Sequence, residues 1–252
     1  MDISFGNPER NYQSAAALIE KAMEEHPDII VLPELWTTGY DLTKLDEIAD
    51  QEAQRTITFL QTAAKKYQVH FVGGSVANSG GKGVKNTLLI ITKDGTITHQ
   101  YDKVHLFKLM DEHLYLEPGA EKGLFQLEGQ LLAGVICYDI RFPEWIRAHT
   151  IEGAAALFVV AEWPSVRLGH WRTLLTARAI ENQCFVIACN RSGNDPNNQF
   201  AGHSLIIDPW GEIVAEAGEQ EEILTAEINL DLVKDIRKQI PIFEDRKPNL
   251  YN

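Results

Sequence analysis

Residues 29–35 read IIVLPEL and residues 157–163 read LFVVAEW, so two distant segments share one pattern, an apolar run that leads into a glutamate. Neither run alternates polar and apolar residues, which is typical of a parallel strand that is covered on both faces. We therefore predict a buried strand at each place. Helices on the outer faces of two stacked sheets would cover the remaining apolar surface.

The elements around these two strands follow one order in both halves of the chain: strand, helix, strand and hairpin. In the first half, Asn7-Pro8 is an N-cap followed by proline at the first helical position. Periodicity and turn signals predict the other elements. They are helices near 50–67, 142–152 and 168–182, strands at 28–33, 69–76, 86–92, 96–101, 156–160 and 184–189, a strand that ends at Cys137, and turns at 78–85, 94–95 and 209–211. The pattern predicts an α/β fold with one domain over residues 1–252.

The composition limits the possible partners of the chain. Its 252 residues carry a formal net charge of −13, which argues against nucleic acid or an anionic membrane as a main partner. No apolar run approaches the roughly 18 residues of a membrane span, and the first residues lack a signal-peptide pattern. Three cysteines, Cys137, Cys184 and Cys189, fit a reducing compartment without a disulfide framework. We expect a cytoplasmic protein.

Three segments each carry one residue suited to covalent chemistry. They are IIVLPE with Glu34, QYDKVHLF with Lys103 and LLAGVICYDIRFPEW with Cys137. A carboxylate can take the proton of a thiol, the thiolate can attack an amide or nitrile carbon, and an amine can stabilise the oxyanion. The set predicts a hydrolase.

Each of these residues also has a structural interpretation. A lone cysteine in an apolar strand is usually a core residue, as we expect for Cys184 and Cys189. Cys137, however, lies at a predicted strand-to-helix turn, where the helix start favours a thiolate. Glu34 and its counterpart Glu162 are equally compatible with a strand end that reaches solvent, and a lysine after a hairpin is usually solvated.

Other catalytic motifs are missing from the sequence. It has no GxSxG, no Walker A motif, no CxxC pair and no HExxH. We therefore expect no metal and no organic cofactor. A cysteine–histidine pair stays open as an alternative, with His105, His170 or His203 as the partner of the thiol.

The motifs together resemble the nitrilase superfamily of carbon–nitrogen hydrolases along nearly the whole chain. The matching segments are VLPELWTTGYDL (31–42), YDKVHLF (101–107), DEHLYLEPG (111–119), GVICYDIRFPEW (134–145) and HWRTLLTARAIENQ (170–183). GHSLIIDPWGEIVAE and the ending IRKQIPIFEDRKPNLY resemble omega-amidases more narrowly, including the bacterial 2-oxoglutaramate amidases linked to methionine salvage.

The resemblance implies a four-layer α-β-β-α sandwich and a homodimer that pairs through outer helices. The apolar residues near the C-terminus fit packing on a neighbour such as another subunit: Ile240, Ile242, Phe243, Leu250 and Tyr251. Chains of this family usually begin with a full strand before the segment that matches MDISFGNPERN. We therefore expect the first strand to be truncated at Met1.

The expected reaction is amide hydrolysis through a thioester on Cys137. By the resemblance, Glu112 is a second glutamate, which would orient Lys103. The backbone N–H of Tyr138 would help to hold the oxyanion. The expected substrate is a small omega-amide with a free carboxylate, such as 2-oxoglutaramate. Arg167 is the candidate partner of that carboxylate, and Tyr40 would add a hydroxyl or a wall to the pocket. Two kinds of alternative stay open. The substrate could be another small amide, an N-carbamoyl compound or a nitrile, or the chain could be a non-catalytic binding module.

Overall fold

The computed structural model describes residues 1–251, and its first sheet comes from the first half of the chain. Its strands are β1 (Ile29–Val31), β2 (Asp50–Gln51), β3 (His70–Gly80), β4 (Gly83–Ile91) and β5 (Ile97–Asp102). The order is β1-β3-β4-β5, with β2 paired to the far end of β3. β1 runs parallel to β3, whereas β4 and β5 continue the sheet as antiparallel strands.

The second sheet comes from the second half of the chain. Its strands are β6 (Leu124–Leu127), β7 (Gln130–Ile136), β8 (Ala156–Ala161), β9 (Phe185–Asn190), β10 (Leu205–Ile207) and β11 (Ile213–Glu216). Their order is β11-β10-β9-β8-β7-β6. The three central strands, β7, β8 and β9, are parallel. Their carboxyl ends therefore meet at one edge, where ligand sites of α/β sheets gather.

Helices cover the outer faces of both sheets. The helices that pack on the apolar clusters of the sheets are α1 (Pro8–Ala22), α3 (Gln54–Tyr67), α5 (Pro143–Thr150), α6 (Leu168–Asn182) and α7 (Asp231–Gln239), and the short helices elsewhere are α2 (Leu45–Ile48), α4 (Glu112–Tyr115) and α8 (Ile242–Asp245). One apolar cluster joins the two sheets. It includes Leu88 of β4 and Val135 of β7, and it extends to Leu175 of α6. Another packs α1 and α3 on the first sheet. The four layers α-β-β-α confirm the predicted fold class.

Several local predictions are confirmed. The Asn7 side chain accepts a hydrogen bond from the Arg10 N–H at 3.1 Å, and α1 begins at Pro8. The Asp94-Gly95 turn joins β4 to β5, with Gly95 at a φ of 85° that suits glycine. The predicted helix over 168–182 has the bounds of α6.

Two predicted boundaries are wrong. The turn expected over 78–85 occupies only residues 81–82. β3 and β4 stay paired as far as Gly80, which lies opposite Gly83. Such a two-residue connection lets antiparallel pairing run to the end of both strands. The helix expected from residue 50 begins at Gln54, since Asp50 and Gln51 pair with β3 as β2.

The C-terminal segment is a helix followed by an irregular tail. Phe243 lies against the guanidinium groups of Arg147 and Arg237, which anchors the start of the tail. Leu250 and Tyr251 are largely exposed in the single chain. Among residues 1–251, none of the helices combines the length and apolar character needed to cross a bilayer.

Candidate active site

A buried ionic cluster lies where the two sheets meet. The Lys103 ammonium donates to Glu34 Oε1 at 2.7 Å and to Glu112 Oε1 at 2.6 Å, and all three side chains are fully buried. Burial alone would lower the pKa of Lys103, but the charges of Glu112 and Glu34 raise it well above its usual value. The lysine is therefore a permanent cation held by two carboxylates. The alternatives in which Glu34 or Lys103 points to solvent are wrong.

The backbone after β1 directs Glu34 inward. Leu35 adopts a φ of 41°, unusual outside glycine, and its N–H donates to Ser75 Oγ at 2.9 Å. Gly74 faces this loop so closely that a Cβ atom there would lie 2.3 Å from the Pro33 carbonyl oxygen. The close approach of two backbones thus turns the strand end and places the carboxylate inside the protein.

Both sheets hold the Glu34 carboxylate. Oε1 accepts from the Asn86 side chain at 2.9 Å, and Oε2 accepts the backbone N–H of Glu162 at 2.9 Å. The Tyr40 hydroxyl oxygen lies 3.0 Å from Oε1. This carboxylate has a donor on each oxygen, so its position is fixed before any ligand arrives.

Glu112 is the second carboxylate of the cluster, where the sequence resemblance placed it. It accepts the Tyr40 hydroxyl at 2.5 Å and the Phe107 N–H at 2.7 Å. Burial raises the pKa of Glu112, Lys103 opposes this, and the charge of Glu34 adds to it. The single O–H of Tyr40 serves the closer acceptor, Glu112, while its oxygen lies 3.0 Å from Glu34 Oε1. Tyr40 therefore belongs to the carboxylate cluster and does not line the cleft beside Cys137, contrary to its predicted place in the pocket. Burial and those carboxylates raise the pKa of Tyr40 well above its usual value, so the phenol is a neutral donor.

Cys137 begins a sharp turn at the carboxyl end of β7. It is the first residue of the 3₁₀ segment Cys137–Arg141 and has a φ of 44°. The buried Asp139 carboxylate braces this turn by accepting the Ile136 N–H at 3.0 Å and the Tyr101 hydroxyl at 2.7 Å. A non-glycine residue in the left-handed region needs such support, and strained residues of this kind cluster at functional sites.

The prediction that a helix start favours a Cys137 thiolate is wrong for the free protein. Burial and the nearby charge of Glu34 raise the pKa of Cys137 well above its usual value, although the charge of Lys103 opposes this. The turn after the cysteine is a five-residue 3₁₀ segment and not the start of an α-helix. The resting thiol is protonated and needs a base.

A cleft opens beside the Cys137 thiol. Its lining combines two arginines, one carboxyl group and apolar side chains: Phe107, Met110, Cys137, Tyr138, Arg141, Glu162, Trp163, Pro164 and Arg167. The Arg167 guanidinium lies 5.4 Å from the Phe107 ring centroid, and that of Arg141 lies 4.8 Å from the Trp163 ring centroid. The structure therefore brings Tyr138 and Arg167 to the same cleft as the thiol, as the sequence predicted.

Two arginines at the site were missed by the sequence interpretation. Arg141 lies within the quoted segment GVICYDIRFPEW, four residues after Cys137, so its place in the turn was the available signal. Arg191 follows β9, is fully buried and pairs with Glu162 at 2.6 Å. No local signal marked it as the partner of a residue 29 positions earlier. Glu162 is itself fully buried, so the alternative that it marks an exposed strand end is wrong.

The cysteine–histidine alternative has no support in the structure. His105 contacts Asp139 through its ring at 2.7 Å and stacks on Phe142. His170 lies 3.3 Å from Arg141, and His203 pairs with Glu216. Within residues 1–251, none of these three rings hydrogen-bonds the Cys137 thiol.

The family model described as carbon-nitrogen hydrolase matches residues 1–238 of the chain. The chain is 56% identical over 250 residues to a 2-oxoglutaramate amidase of Bacillus subtilis (strain 168), covering 99% of this chain and 96% of the relative. It is 38% identical over 220 residues to an omega-amidase of Escherichia coli (strain K12), covering 86% of this chain and 84% of the relative.

Solved structures with the same fold include a CN-hydrolase superfamily protein of Xanthomonas campestris that carries an arsenic adduct in its active site. The TM-score is 0.90 at 34% identity, covering 98% of this chain and 94% of that one. Nit3 of Saccharomyces cerevisiae, a member of the nitrilase superfamily, gives a TM-score of 0.87 at 31% identity, covering 96% of this chain and 91% of that one.

Proposed function

The chain belongs to the carbon-nitrogen hydrolase family, and from this premise we propose that it cleaves the terminal amide of a small omega-amide with a free carboxylate, 2-oxoglutaramate being the first choice. The products are the acid and ammonia. The observation that carries the proposal is the buried Glu34–Lys103–Glu112 cluster next to the Cys137 thiol. The 56% identity to a 2-oxoglutaramate amidase supports the choice of substrate.

The first step forms a tetrahedral adduct on Cys137, which becomes a thioester when the amide nitrogen leaves. Glu34 takes the thiol proton, and the sulfur attacks the amide carbon while the carbonyl electron pair moves to oxygen. Lys103 and the backbone N–H of Tyr138 are the proposed donors to this oxyanion, a role that preorganised cations and N–H groups fill in acyl transfer. The raised pKa of the thiol makes a base necessary, and Glu34 is the proposed base because its carboxylate is close enough for its charge to act on the thiol.

The second step releases both products. The oxyanion reforms the carbonyl, the carbon–nitrogen bond breaks, and Glu34 returns its proton to the leaving nitrogen, which departs as ammonia. Water then attacks the thioester while Glu34 takes one of its protons. The carbon–sulfur bond breaks, and the sulfur regains a proton. One carboxylate thus serves both half-reactions, in line with general acid–base catalysis.

Glu112 and Tyr40 position the lysine and the base. Glu112 is held by the Phe107 N–H, and the Tyr40 hydroxyl lies between the two carboxylates. Removal of either group would leave Lys103 free to move away from the reacting carbonyl. We therefore assign Glu112 to the orientation of Lys103, and Tyr40 to the same network.

Arg167 is the proposed partner of the substrate carboxylate, with Arg141 beside it. Both arginines line the cleft that holds Cys137. A guanidinium binds a carboxylate through two parallel N–H groups, which gives orientation as well as attraction. A small dicarboxylate monoamide would then lie with its charged end at the arginines and its amide at the thiol.

The experiment that tests the function is mass spectrometry of the protein mixed briefly with 2-oxoglutaramate, glutaramate, butyramide, an N-carbamoyl amino acid and a nitrile, with ammonia release measured in parallel. We expect an acyl adduct on Cys137 and fastest release from 2-oxoglutaramate. Cys137→Ala should give neither adduct nor ammonia, while circular dichroism stays unchanged. Turnover by Cys137→Ala at the parent rate would overturn the mechanism, and a preference for butyramide would overturn the substrate class.

A homodimer is the proposed assembly. Ile151 at the end of α5 and Ile180 on α6 are about half exposed in the single chain, as are apolar residues of the tail. These surfaces fit the outer-helix pairing that the sequence resemblance implies. Light scattering of the purified protein checks this, and a mass of one chain at micromolar concentration would contradict it.

The proposed setting is the cytoplasm and methionine salvage. Three unpaired cysteines, two of them fully buried and none bonded to another, fit a reducing compartment. Accumulation of 2-oxoglutaramate in cells that lack the protein and grow on a methionine-salvage intermediate would support this setting. An unchanged 2-oxoglutaramate level would contradict it.

A further inference from the structure

The Glu162 carboxyl group lies inside the site with only half of its hydrogen-bonding capacity used. Its Oε2 atom accepts from Arg191 at 2.6 Å, whereas its Oε1 atom is buried and has no partner among the described residues. Glu162 follows β8 directly and lines the cleft together with Cys137. Buried carboxylate oxygens are normally satisfied, so an open one at a cleft needs an explanation.

Arg191 does not donate to the second oxygen, although its Nε atom is also buried without a partner among the described residues. Its other terminal nitrogen donates to the Ile3 carbonyl at 2.6 Å and to the Asn194 carbonyl at 3.2 Å, which fixes the guanidinium. Burial raises the pKa of Glu162 to about 8 even though the charge of Arg191 opposes it. Such a pKa leaves much of this carboxyl group protonated in the free protein at neutral pH, and a donor brought by a ligand to Oε1 would stabilise the ionised form.

The proposed substrate carries such a donor at one place only. The tail carboxylate and the keto oxygen of an omega-amide such as 2-oxoglutaramate only accept hydrogen bonds, while its amide nitrogen carries two N–H groups. We propose that Glu162 Oε1 accepts an N–H of the amide that is cleaved, which makes Glu162 the residue that selects primary amides. This inference rests on the proposed amidase function and assigns a new role within the same site.

The position of Glu162 gives this contact a consequence for the reaction. Its own backbone N–H lies 2.9 Å from Glu34 Oε2. An amide nitrogen held by Glu162 is thus directed to the neighbourhood of Glu34, the group that must protonate it on departure. The acid product has oxygen where the amide had N–H, so the same carboxylate repels it and favours its release.

The variant Glu162→Gln tests the contact without removing the partner of Arg191. A guanidinium only donates, so the glutamine must turn its carbonyl oxygen to Arg191 and place its NH₂ group where Oε1 was. The variant therefore keeps size and packing but presents a donor to the substrate amide. Two probes of equal length separate the roles: glutaramate has the amide N–H groups, and monomethyl glutarate has an ester without them.

We expect Glu162→Gln to lower kcat/KM for glutaramate by about 10–100-fold, the range of a hydrogen bond to a charged group, and to change kcat/KM for the ester by less than about threefold. The matched control is Glu216→Gln, which makes the same change at a carboxylate paired with Arg172 outside the cleft. It should leave both substrates unaffected.

Each other outcome overturns the inference. Equal losses on amide and ester would assign Glu162 a structural role only. Unchanged kcat/KM for both probes would show that an N–H donor at the Oε1 position serves as well as an acceptor there. If the parent protein hydrolyses neither probe, the proposed function falls and this inference falls with it. If it hydrolyses both and the ratio is unchanged in Glu162→Gln, only this inference is wrong.

Discussion

The ends of β1 and β8 start from nearly the same sequence and finish as two different carboxylates. Glu34 after β1 receives Lys103 and Asn86 on one oxygen and a backbone N–H on the other. Glu162 after β8 receives Arg191 on one oxygen and, within residues 1–251, no donor on the other. Partners from distant segments, and not the local sequence, decide which carboxylate is saturated and which is left open.

This difference suggests a division of labour. The end of β1 holds the base Glu34 and its partner Lys103. Substitutions of these residues should therefore slow the hydrolysis of every substrate to the same extent. The open end faces the cleft with Arg167, so its variants should discriminate between substrates. A comparison of charged, uncharged and ester substrates therefore tests the division directly.

Glu34→Gln should have the largest effect. The amide keeps the shape of the side chain but cannot take the thiol proton, and general acid–base catalysis is worth up to about 10⁴-fold. We expect kcat to fall by roughly that factor for glutaramate and for monomethyl glutarate alike. Stopped assays of ammonia and methanol measure the two. A rate near that of the parent protein, or a loss limited to the amide, would contradict the role of Glu34 as the base for every substrate.

Lys103→Met should follow. Loss of one preorganised oxyanion donor typically costs on the order of 10²–10³ in rate. The variant also leaves two carboxylates buried without their cation, and breaking a buried pair costs about 3–5 kcal/mol in the free energy of unfolding. Assays of kcat and urea denaturation measure both effects.

Lys85→Met is the matched control for Lys103→Met. Lys85 pairs with Asp102 at 2.7 Å on the same sheet, but its side chain is 42% exposed. An exposed pair contributes about 0–1 kcal/mol. If both variants lose stability and activity equally, the buried cluster has no special role.

The chemical residues could be predicted because each occupies a strand end or follows a hairpin. Strand position alone left Glu34 and Lys103 open, and it was their chemistry together with Cys137, and the resemblance to the nitrilase superfamily, that predicted one site. The donors around them were not predictable in this way. The N–H of Glu162 reaches Glu34 across 128 positions, and Arg191 reaches the Ile3 carbonyl across 188. Such contacts depend on how the two sheets stack, which leaves no local signal.

The protonation of the thiol was also beyond sequence reasoning. The pattern around Cys137 correctly indicated a turn after a strand, and the dipole argument then favoured a thiolate. Burial of the thiol and the nearby Glu34 charge act in the opposite direction and raise its pKa. Both depend on packing between the halves of the chain. The fold class, by contrast, followed from apolar runs and turns, because those signals are local.

Arg167→Met should have an intermediate effect that depends on the substrate. A charge-assisted hydrogen bond contributes roughly 1.5–3 kcal/mol, so kcat/KM for 2-oxoglutaramate should fall by about 10–100-fold, given tenfold per 1.4 kcal/mol. Butyramide, which has no carboxylate, should be affected much less. Arg10→Met makes the same change of charge on the exposed face of α1 and should leave both substrates unchanged. Equal losses on the two substrates would remove Arg167 from recognition.

Cys184→Ala and Cys189→Ala should have the smallest effects. Cys184 precedes β9 and Cys189 lies within it, next to the strand that Glu162 follows, and burial raises the pKa of Cys184 to about 12. Neither residue lines the cleft. The change removes a single heavy atom, much as Ile→Val does, so we expect a cost of about 0.5–1.5 kcal/mol in the free energy of unfolding at the fully buried Cys184. Turnover should stay within about twofold, since the rate depends on groups that these thiols do not touch. Thermal melts and kcat for glutaramate measure the two quantities. A more than tenfold loss of kcat in either variant, with the melting temperature preserved, would place a second thiol in the chemistry and end the division between the two strand ends.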